Sequence, residues 1–586
     1  MSVGGYHGCY LHIELDGERI TQNSVPLADE TLRASLGGSG LGTQILLDLD
    51  APSRSTESGP IAFVFSPLVG SPITTSAKFA VVCKSPLTGR LNDALASSGF
   101  AISGKATGHD AIVVSGAAKS WSILVVDEDG VRLEEATDVV GSTTPVTEAT
   151  LRARYGTEYE FAVIGPAGEN QVRFASISHD GRHAGRGGSG TMLGAKKIKA
   201  LAVRGRKRCE WHDGPALVQL SKKLSEQSFG PATEKYRELG TATNLLAFNR
   251  LNALPTRNFQ QSTFENADAI APETLQLTRE KTRNSCKACT IGCEHLYALT
   301  DSSGKDENVR LEYENLFALG PLCGVSDPQV VLTASKRCDE LGIDTISAGG
   351  TIAFAMECVQ RGLLDEPWLQ FGDGDALLKA IELIGSRQAL GNDLANGSRW
   401  FSEKIGGEAT NFAAHVKGME LPGYEPRTLQ TMALGFAVGA RGADHNRSSA
   451  YEVDFSDRVD RRNVSDDAVA MAIDAENRAA LLDSLILCKF LRGVFDDIWA
   501  ESASMLRWVT GWDVTAEELR KSAARIVSQK KQFNIQCGWT PEEDTLPARF
   551  FDDALPDDSA RLSRTRLAEL VQLYNLQRGW TADGYV

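Results

Sequence analysis

The chain has 586 residues, 42% of them hydrophobic and 23% charged, and a formal net charge of -15. That length provides for about two to four domains around a large core. The acidic balance excludes a general nucleic-acid binder, which needs a basic surface to displace phosphate counterions, and no apolar run reaches the ~18 residues of a helical membrane span.

The N-terminal residues lack a basic region followed by an apolar stretch, so no secretory signal is expected. Eleven cysteines, an odd number scattered along the chain, do not form a disulfide framework and point to a reducing cytoplasm. Through the first two hundred or so residues glycine is dense and short β-branched runs recur: Ala80–Cys83, Ala111–Ser115, Ser122–Asp127 and Phe161–Gly165. Turn residues separate them, which predicts strands. A break falls near Arg204–Asp213, where the basic patch Arg204–Arg208 reads as a solvated connector. Helical periodicity then takes over, as in Pro215–Gln227 and Asp467–Leu487. Clustered Gly418, Pro422, Gly423 and Pro426 mark a second break. The expected fold is α+β: a β-rich domain over 1–208, then two mostly α-helical domains over 209–416 and 417–586.

Two glycine-rich stretches, Leu36–Gly42 and Gly185–Gly190, fail both the dinucleotide fingerprint and the P-loop pattern. Each reads either as structural turns or as backbone that approaches an anion closely. Arg186 adds a fork suited to phosphate.

Cys286, Cys289 and Cys293 form a C-x2-C-x3-C cluster, and Cys488 stands far downstream. Four thiolates of this spacing suit a four-iron four-sulfur cluster, or a single tetrahedral zinc. The other seven cysteines show no second motif and read as small buried hydrophobes.

With the cysteines in place, the chain resembles the aldehyde:ferredoxin oxidoreductases over essentially its whole length. The resemblance rests on Leu36–Gly42, Lys84–Gly89, Gly185–Gly190, the cysteine cluster, Glu312–Glu314, Asp339–Ser347, Pro422–Arg427, Arg441–His445 and Asp483–Cys488, in that order. It implies tungsten, or molybdenum, held on two pterin dithiolenes beside a 4Fe-4S cluster bound by Cys286, Cys289, Cys293 and Cys488. It further implies that Asp339 with Asp344, and Asp483 with Cys488, hold one pterin each. Arg186, Gly187 and Gly188 would line the pterin phosphates, and Lys78 would stand between pterin and cluster where relatives commonly have arginine. Leu95 falls where relatives place an asparagine for a bridging magnesium, and a leucine side chain cannot ligate that ion. Ile486 replaces a glycine often seen in the second pterin motif.

The same resemblance makes Glu314 the base of aldehyde oxidation and His445 its partner beside the metal. Without it, Asp339 and Asp344 read as a helix end and its turn, Glu314 as a surface acid and His445 as a structural histidine. His179, His183 and His295 lack metal-ligand spacing and read as structural, and Asp444 receives no role. The implied reaction takes an aldehyde and water to a carboxylic acid. Electrons would pass through the cluster to ferredoxin or an iron–sulfur subunit, in a homodimer or a hetero-oligomer. Alternatives are a tungsten-type acyl-CoA reductase, a hydroxycarboxylate oxidoreductase, and a non-catalytic zinc or iron–sulfur protein.

Overall fold

The computed structural model describes residues 3–300, 304, 306–556 and 560–586. The N-terminal part holds twelve strands in two six-stranded sheets. The first sheet comprises β1 (Cys9–Gly17), β2 (Arg19–Pro26), β3 (Ile61–Val64), β4 (Lys78–Lys84), β5 (Leu91–Ser97) and β6 (Ala111–Ala118), in the order β2-β1-β6-β3-β4-β5. The second comprises β7 (Ser122–Asp127), β8 (Gly130–Glu135), β9 (Glu160–Val163), β10 (Ile177–His179), β11 (Arg182–Ala184) and β12 (Ile198–Val203), in the order β11-β10-β9-β12-β7-β8. Three of the β-branched runs lie wholly in strands, and the fourth, Phe161–Gly165, runs two residues past the end of β9. β3 shows why such runs are continuous rather than alternating: every residue from Ile61 to Val64 is buried, because the sheet is covered on both faces.

Helices dominate the remainder, and a single hydrophobic cluster runs through them from Leu217 to Trp580. Helix Asp467–Leu485 packs on helix Ala516–Gln536 and on helix Gly38–Asp48 of the N-terminal part. The last contact explains the first glycine-rich stretch. A Cβ on Gly38 would stand 2.3 Å from the carbonyl oxygen of Asp483, and one on Gly42 would stand 2.5 Å from Val82. Leu36–Gly42 therefore opens a helix whose glycines permit close packing, and the structural reading of that stretch holds.

Two β elements interrupt the helical part; the smaller pairs His415–Val416 with Met419–Glu420. Strands Lys281–Asn284, Glu294–Thr300 and Asp306–Arg310 form a three-stranded antiparallel sheet. The loop between the first two carries Cys286, Cys289 and Cys293.

Candidate functional site

Two adjoining cavities, of about 400 and 590 Å³, lie where the N-terminal sheets meet the helical part. Leu95, His183, Gly185, Glu314, Asn446 and Arg447 line both, so the cavities share a wall.

The smaller cavity gathers all four cysteines of the motif. The hairpin loop supplies three. Cys488 follows helix Asp467–Leu485, which stops at Ile486 in the left-handed conformation (φ 61°). Thr75 clasps the two segments: its hydroxyl accepts the Cys488 N–H at 3.1 Å, and its own N–H donates to the Ala288 carbonyl at 2.6 Å. Burial, then the neighbouring thiols Cys488 and Cys286, push the Cys289 thiol up to about 11 and hold Cys293 well above its ordinary value. Thiolates here need a compensating positive charge, from a bound metal centre or from Lys78. Burial alone would lower the Lys78 pKa, yet Cys488, Cys286 and Asp483 raise it above its ordinary value. Four soft donors around one cavity beside a buried cation fit an iron–sulfur cluster. Among the described residues no three His, Cys, Asp or Glu side chains draw together as a single-ion site.

Asp339, Asp344 and Asp483, the last two buried, line the same cavity together with Glu312 and Glu314. Asp339 lies in the last turn of helix Pro328–Leu341, and Asp344 caps helix Thr345–Gln360 by accepting from the N–H groups of Ile346 and Ser347. The helix-end reading of both is correct, and both also face the cavity. Burial would raise the Asp339 pKa, but His183 at 3.2 Å and Arg310 at 3.3 Å bring it to about 2. Asp483 pairs with Arg447 at 2.7 Å, with Lys489 3.6 Å away. The Lys489 ammonium has no hydrogen-bond partner among the described residues, and burial lowers its pKa to about 8. An unpartnered buried cation beside a carboxylate is a receptor for an anionic or acceptor-rich ligand.

Glu314 and His445 face each other across the shared wall, Oε1 to Nδ1 at 3.5 Å, and neither atom has a hydrogen-bond partner among the described residues. Glu314 stands in the first turn of helix Tyr313–Leu319, which Glu312 and Asn315 hold in a reciprocal capping box. Its other oxygen accepts the Gly423 N–H at 3.1 Å. Burial, reinforced by Asp444 and Asp344, raises the Glu314 pKa to about 8 despite that bond and Arg186. His445 opens a short helix capped by Asp444 and stacks on Tyr424, ring centres 5.0 Å apart. Burial lowers its pKa to about 3. At neutral pH the pair is a protonated acid and a neutral imidazole, two groups aimed at space that can hold or pass a proton.

The second glycine-rich stretch borders both cavities. Gly187 and Gly188 adopt φ of 82° and 78°, and a Cβ on them would collide with Asn92 Oδ1 and the Arg173 carbonyl. Gly185 is open: a Cβ there would meet nothing within 4 Å. Ligand approach to the backbone is therefore available at Gly185. The Arg186 guanidinium is already engaged, donating to the carbonyls of Ala443 at 2.7 Å and Glu420 at 2.6 Å and lying 3.4 Å from Asp344. Leu95 presents hydrocarbon to both cavities, and its side chain does not fit a magnesium ligand.

The sequence assigns no role to several residues of the site. Arg447 joins Asp93 at 3.0 Å to Asp483 at 2.7 Å, and Lys530 adds a 2.6 Å contact to Asp93. Asp444 caps the His445 helix and pairs with Arg441 at 3.3 Å. Arg441 and Arg447 flank Asp444 three residues away on either side, a spacing that hints at an ion-pair cluster only once Asp444 is known to be buried. His183, read as structural, contacts Asp339 in the wall of both cavities.

The chain has extensive known relatives. Family models of the aldehyde ferredoxin oxidoreductases match it over residues 10–205 (the N-terminal domain) and 217–586 (domains 2 and 3). It is 34% identical over 603 residues to the tungsten-containing aldehyde ferredoxin oxidoreductase of Pyrococcus abyssi, covering 99% of this chain and 97% of that one. It is 27% identical over 585 residues to the aliphatic sulfonate oxidoreductase, WOR-like subunit, of Pyrococcus furiosus, covering 93% and 90%. The active-site complex BamBC of benzoyl coenzyme A reductase shares the fold, with a TM-score of 0.83 at 21% identity over 100% of this chain and 96% of that one. With both family models spanning nearly every residue, this chain belongs to the aldehyde ferredoxin oxidoreductase family and is an oxidoreductase.

Proposed function

We propose that this enzyme oxidises aldehydes to carboxylic acids with water. In this reading two pterins would hold tungsten, and a 4Fe-4S cluster would connect it to ferredoxin or a separate electron-transfer subunit as electron acceptor. The observation that carries it is the Glu314–His445 pair, in which Glu314 lines both the four-cysteine cavity and the larger one and His445 faces it from the larger one. Cys286, Cys289, Cys293 and Cys488 would bind the cluster. Asp339, Asp344 and Asp483 would accept hydrogen bonds from the pterin donor edges, and Lys78 would bridge the two cofactors. When bound, the metal centre supplies the two-electron oxidation.

The protein's own groups handle protons and position. Oxidation of RCHO with H2O to RCOOH releases two protons and two electrons. Glu314 sheds its proton as pH rises through about 8 and, as carboxylate, takes one from water. Neutral His445, whose Nε2 accepts from the Asn446 amide at 2.9 Å and whose ring is held by Tyr424, presents Nδ1–H to donate to the substrate carbonyl oxygen. The walls of buried rings around the pair limit competing water.

The test is elemental analysis of protein purified without oxygen, followed by aldehyde-dependent reduction of a viologen dye. About four irons and one tungsten per chain, with dye reduction, are expected. Zinc alone would overturn the redox reading. Turnover only of acyl-CoA or 2-hydroxy acids would displace the aldehyde.

A further inference from the structure

The two nitrogens of the His445 ring meet different neighbours. Nδ1 faces Glu314 Oε1 at 3.5 Å, and Nε2 lies 2.9 Å from the side-chain amide nitrogen of Asn446. An amide NH2 group donates and does not accept. Nε2 therefore presents its lone pair, and the single proton of the neutral ring resides on Nδ1.

The local fold keeps this contact in place. Asp444 accepts the backbone N–H groups of Asn446 and Arg447 at 2.7 and 3.1 Å, which fixes the turn that carries His445 and Asn446. Aromatic rings shield the imidazole: Tyr424 stacks on it at 5.0 Å, and Tyr451 lies 6.1 Å away. Phe248 sits edge-on to Tyr424 at 5.3 Å and stacks on Phe455. Away from water, a hydrogen bond at the ring edge is strengthened. Burial, with Arg186, Lys489 and Arg447, keeps a second proton off the ring against the pull of Asp444.

The position of that one proton decides what Glu314 meets in the free enzyme. With Nδ1–H, the ring donates to the Glu314 carboxylate and favours the ionised form. With the proton on Nε2, Nδ1 would accept from the Glu314 O–H and favour the acid. The other groups around the carboxyl are the same in both cases: Arg186, Asp344, Asp444, the Gly423 N–H, Tyr313 and Tyr424. The choice between tautomers thus falls to the group on Nε2.

Resting on the proton-carrier role of Glu314 above, we propose that Asn446 is a positioning residue that fixes the tautomer of His445. Its amide keeps the imidazole proton on Nδ1, so the ring stabilises the Glu314 carboxylate and brings its ionisation closer to neutral pH. When substrate binds, the same Nδ1–H is available to the carbonyl oxygen. Asn446 itself exchanges no proton.

The experiment follows the protonated Glu314 carboxyl by infrared spectroscopy of the holoenzyme over its titration, its band being the one absent from Glu314→Gln. Asn446→Leu removes the donor and frees the ring to take the other tautomer. The band should then persist about one pH unit higher, the worth of one hydrogen bond. The acid limb of kcat/KM, which reports the free enzyme, should move with it while iron–sulfur absorbance is retained. Asn446→Met, a second apolar replacement at this half-buried position, should act in the same direction. Mere loosening of the site would admit water and move the band the other way, toward the ordinary carboxyl range. No shift in either variant, or a shift to lower pH, overturns the inference. An upward infrared shift in an enzyme that turns over no aldehyde supports the tautomer assignment and removes the aldehyde reading instead.

Discussion

The two adjoining cavities hold their titratable groups differently. The cysteine cavity brings four thiols and the carboxyl groups of Glu312, Glu314, Asp339, Asp344 and Asp483 together with Lys78, Lys489, Arg310 and Arg447. The larger cavity also carries Arg441, Asp444 and Arg447, but its central pair is neutral, with Glu314 raised to about 8 and His445 lowered to about 3, and aromatic rings lie beyond. Both are buried, so burial alone does not decide which charges survive. The difference lies in partners. Asp339 and Asp483 have cations within hydrogen-bond or ion-pair reach, whereas Glu314 has one backbone N–H and a neutral ring. Where opposite charge is supplied a buried group stays ionised; where it is withheld the group takes the neutral form and becomes a proton carrier near working pH.

The largest effect should come from removing a cluster ligand. Cys289→Ser leaves three thiols, and iron content, visible absorption and turnover should all be lost. Retention of a full iron complement would break the assignment of the cysteine cavity. Next comes Glu314→Gln, which keeps shape and removes the proton carrier. Turnover should fall by about 10²–10⁴-fold with iron content unchanged, which separates the two cavities experimentally. The pH profile sharpens the contrast further. Wild-type kcat should rise about tenfold per unit below pH 8 and level off above it, because only the ionised carboxyl takes a proton from water. The residual activity of the glutamine variant should be flat across that window. A wild-type profile that is flat between pH 6 and about 9 would remove Glu314 from proton transfer.

Much of the cysteine cavity was legible because its chemistry is carried by residue type and spacing. C-x2-C-x3-C with a distant cysteine states its purpose, and the strands beneath it announce themselves through Ala80–Cys83 and Ala111–Ser115. The hairpin that bears the cysteines was not legible, because Arg283, Asn284 and Ser285 lack any apolar alternation. Asp339 and Asp344 could be placed at a helix end and turn, but their facing of a common cavity depends on packing against the N-terminal part. The ring-lined cavity was the least visible. Phe248, Tyr313, Tyr424 and the neighbouring pair Tyr451 and Phe455 come from four segments spread over two hundred residues, and none alone signals a cavity wall. Asp93, Arg441 and Arg447 escaped for the same reason: a buried ion network is a property of the fold, since each member reads as surface polarity until its partners are known.

The smallest effect tests the junction of the cavities without touching a ring or a ligand. Ile486 occupies a left-handed backbone position, the conformation that favours glycine, and its side chain is fully buried. Ile486→Gly would relieve a backbone cost of about 1–2 kcal/mol. It would also empty a buried site in contact with Gly38, and large-to-small core changes cost about 2–5 kcal/mol. Packing should win, leaving the variant less stable by about 1–3 kcal/mol in chemical denaturation. A second consequence is positional: this residue separates Asp483 from Cys488, so loosening it should alter the iron–sulfur spectrum before it alters aldehyde affinity. A variant as stable as wild type would mean that backbone strain outweighs the cavity. Glycine and isoleucine at this position would then be two equivalent ways to end helix Asp467–Leu485, rather than two packings that place the fourth cysteine differently.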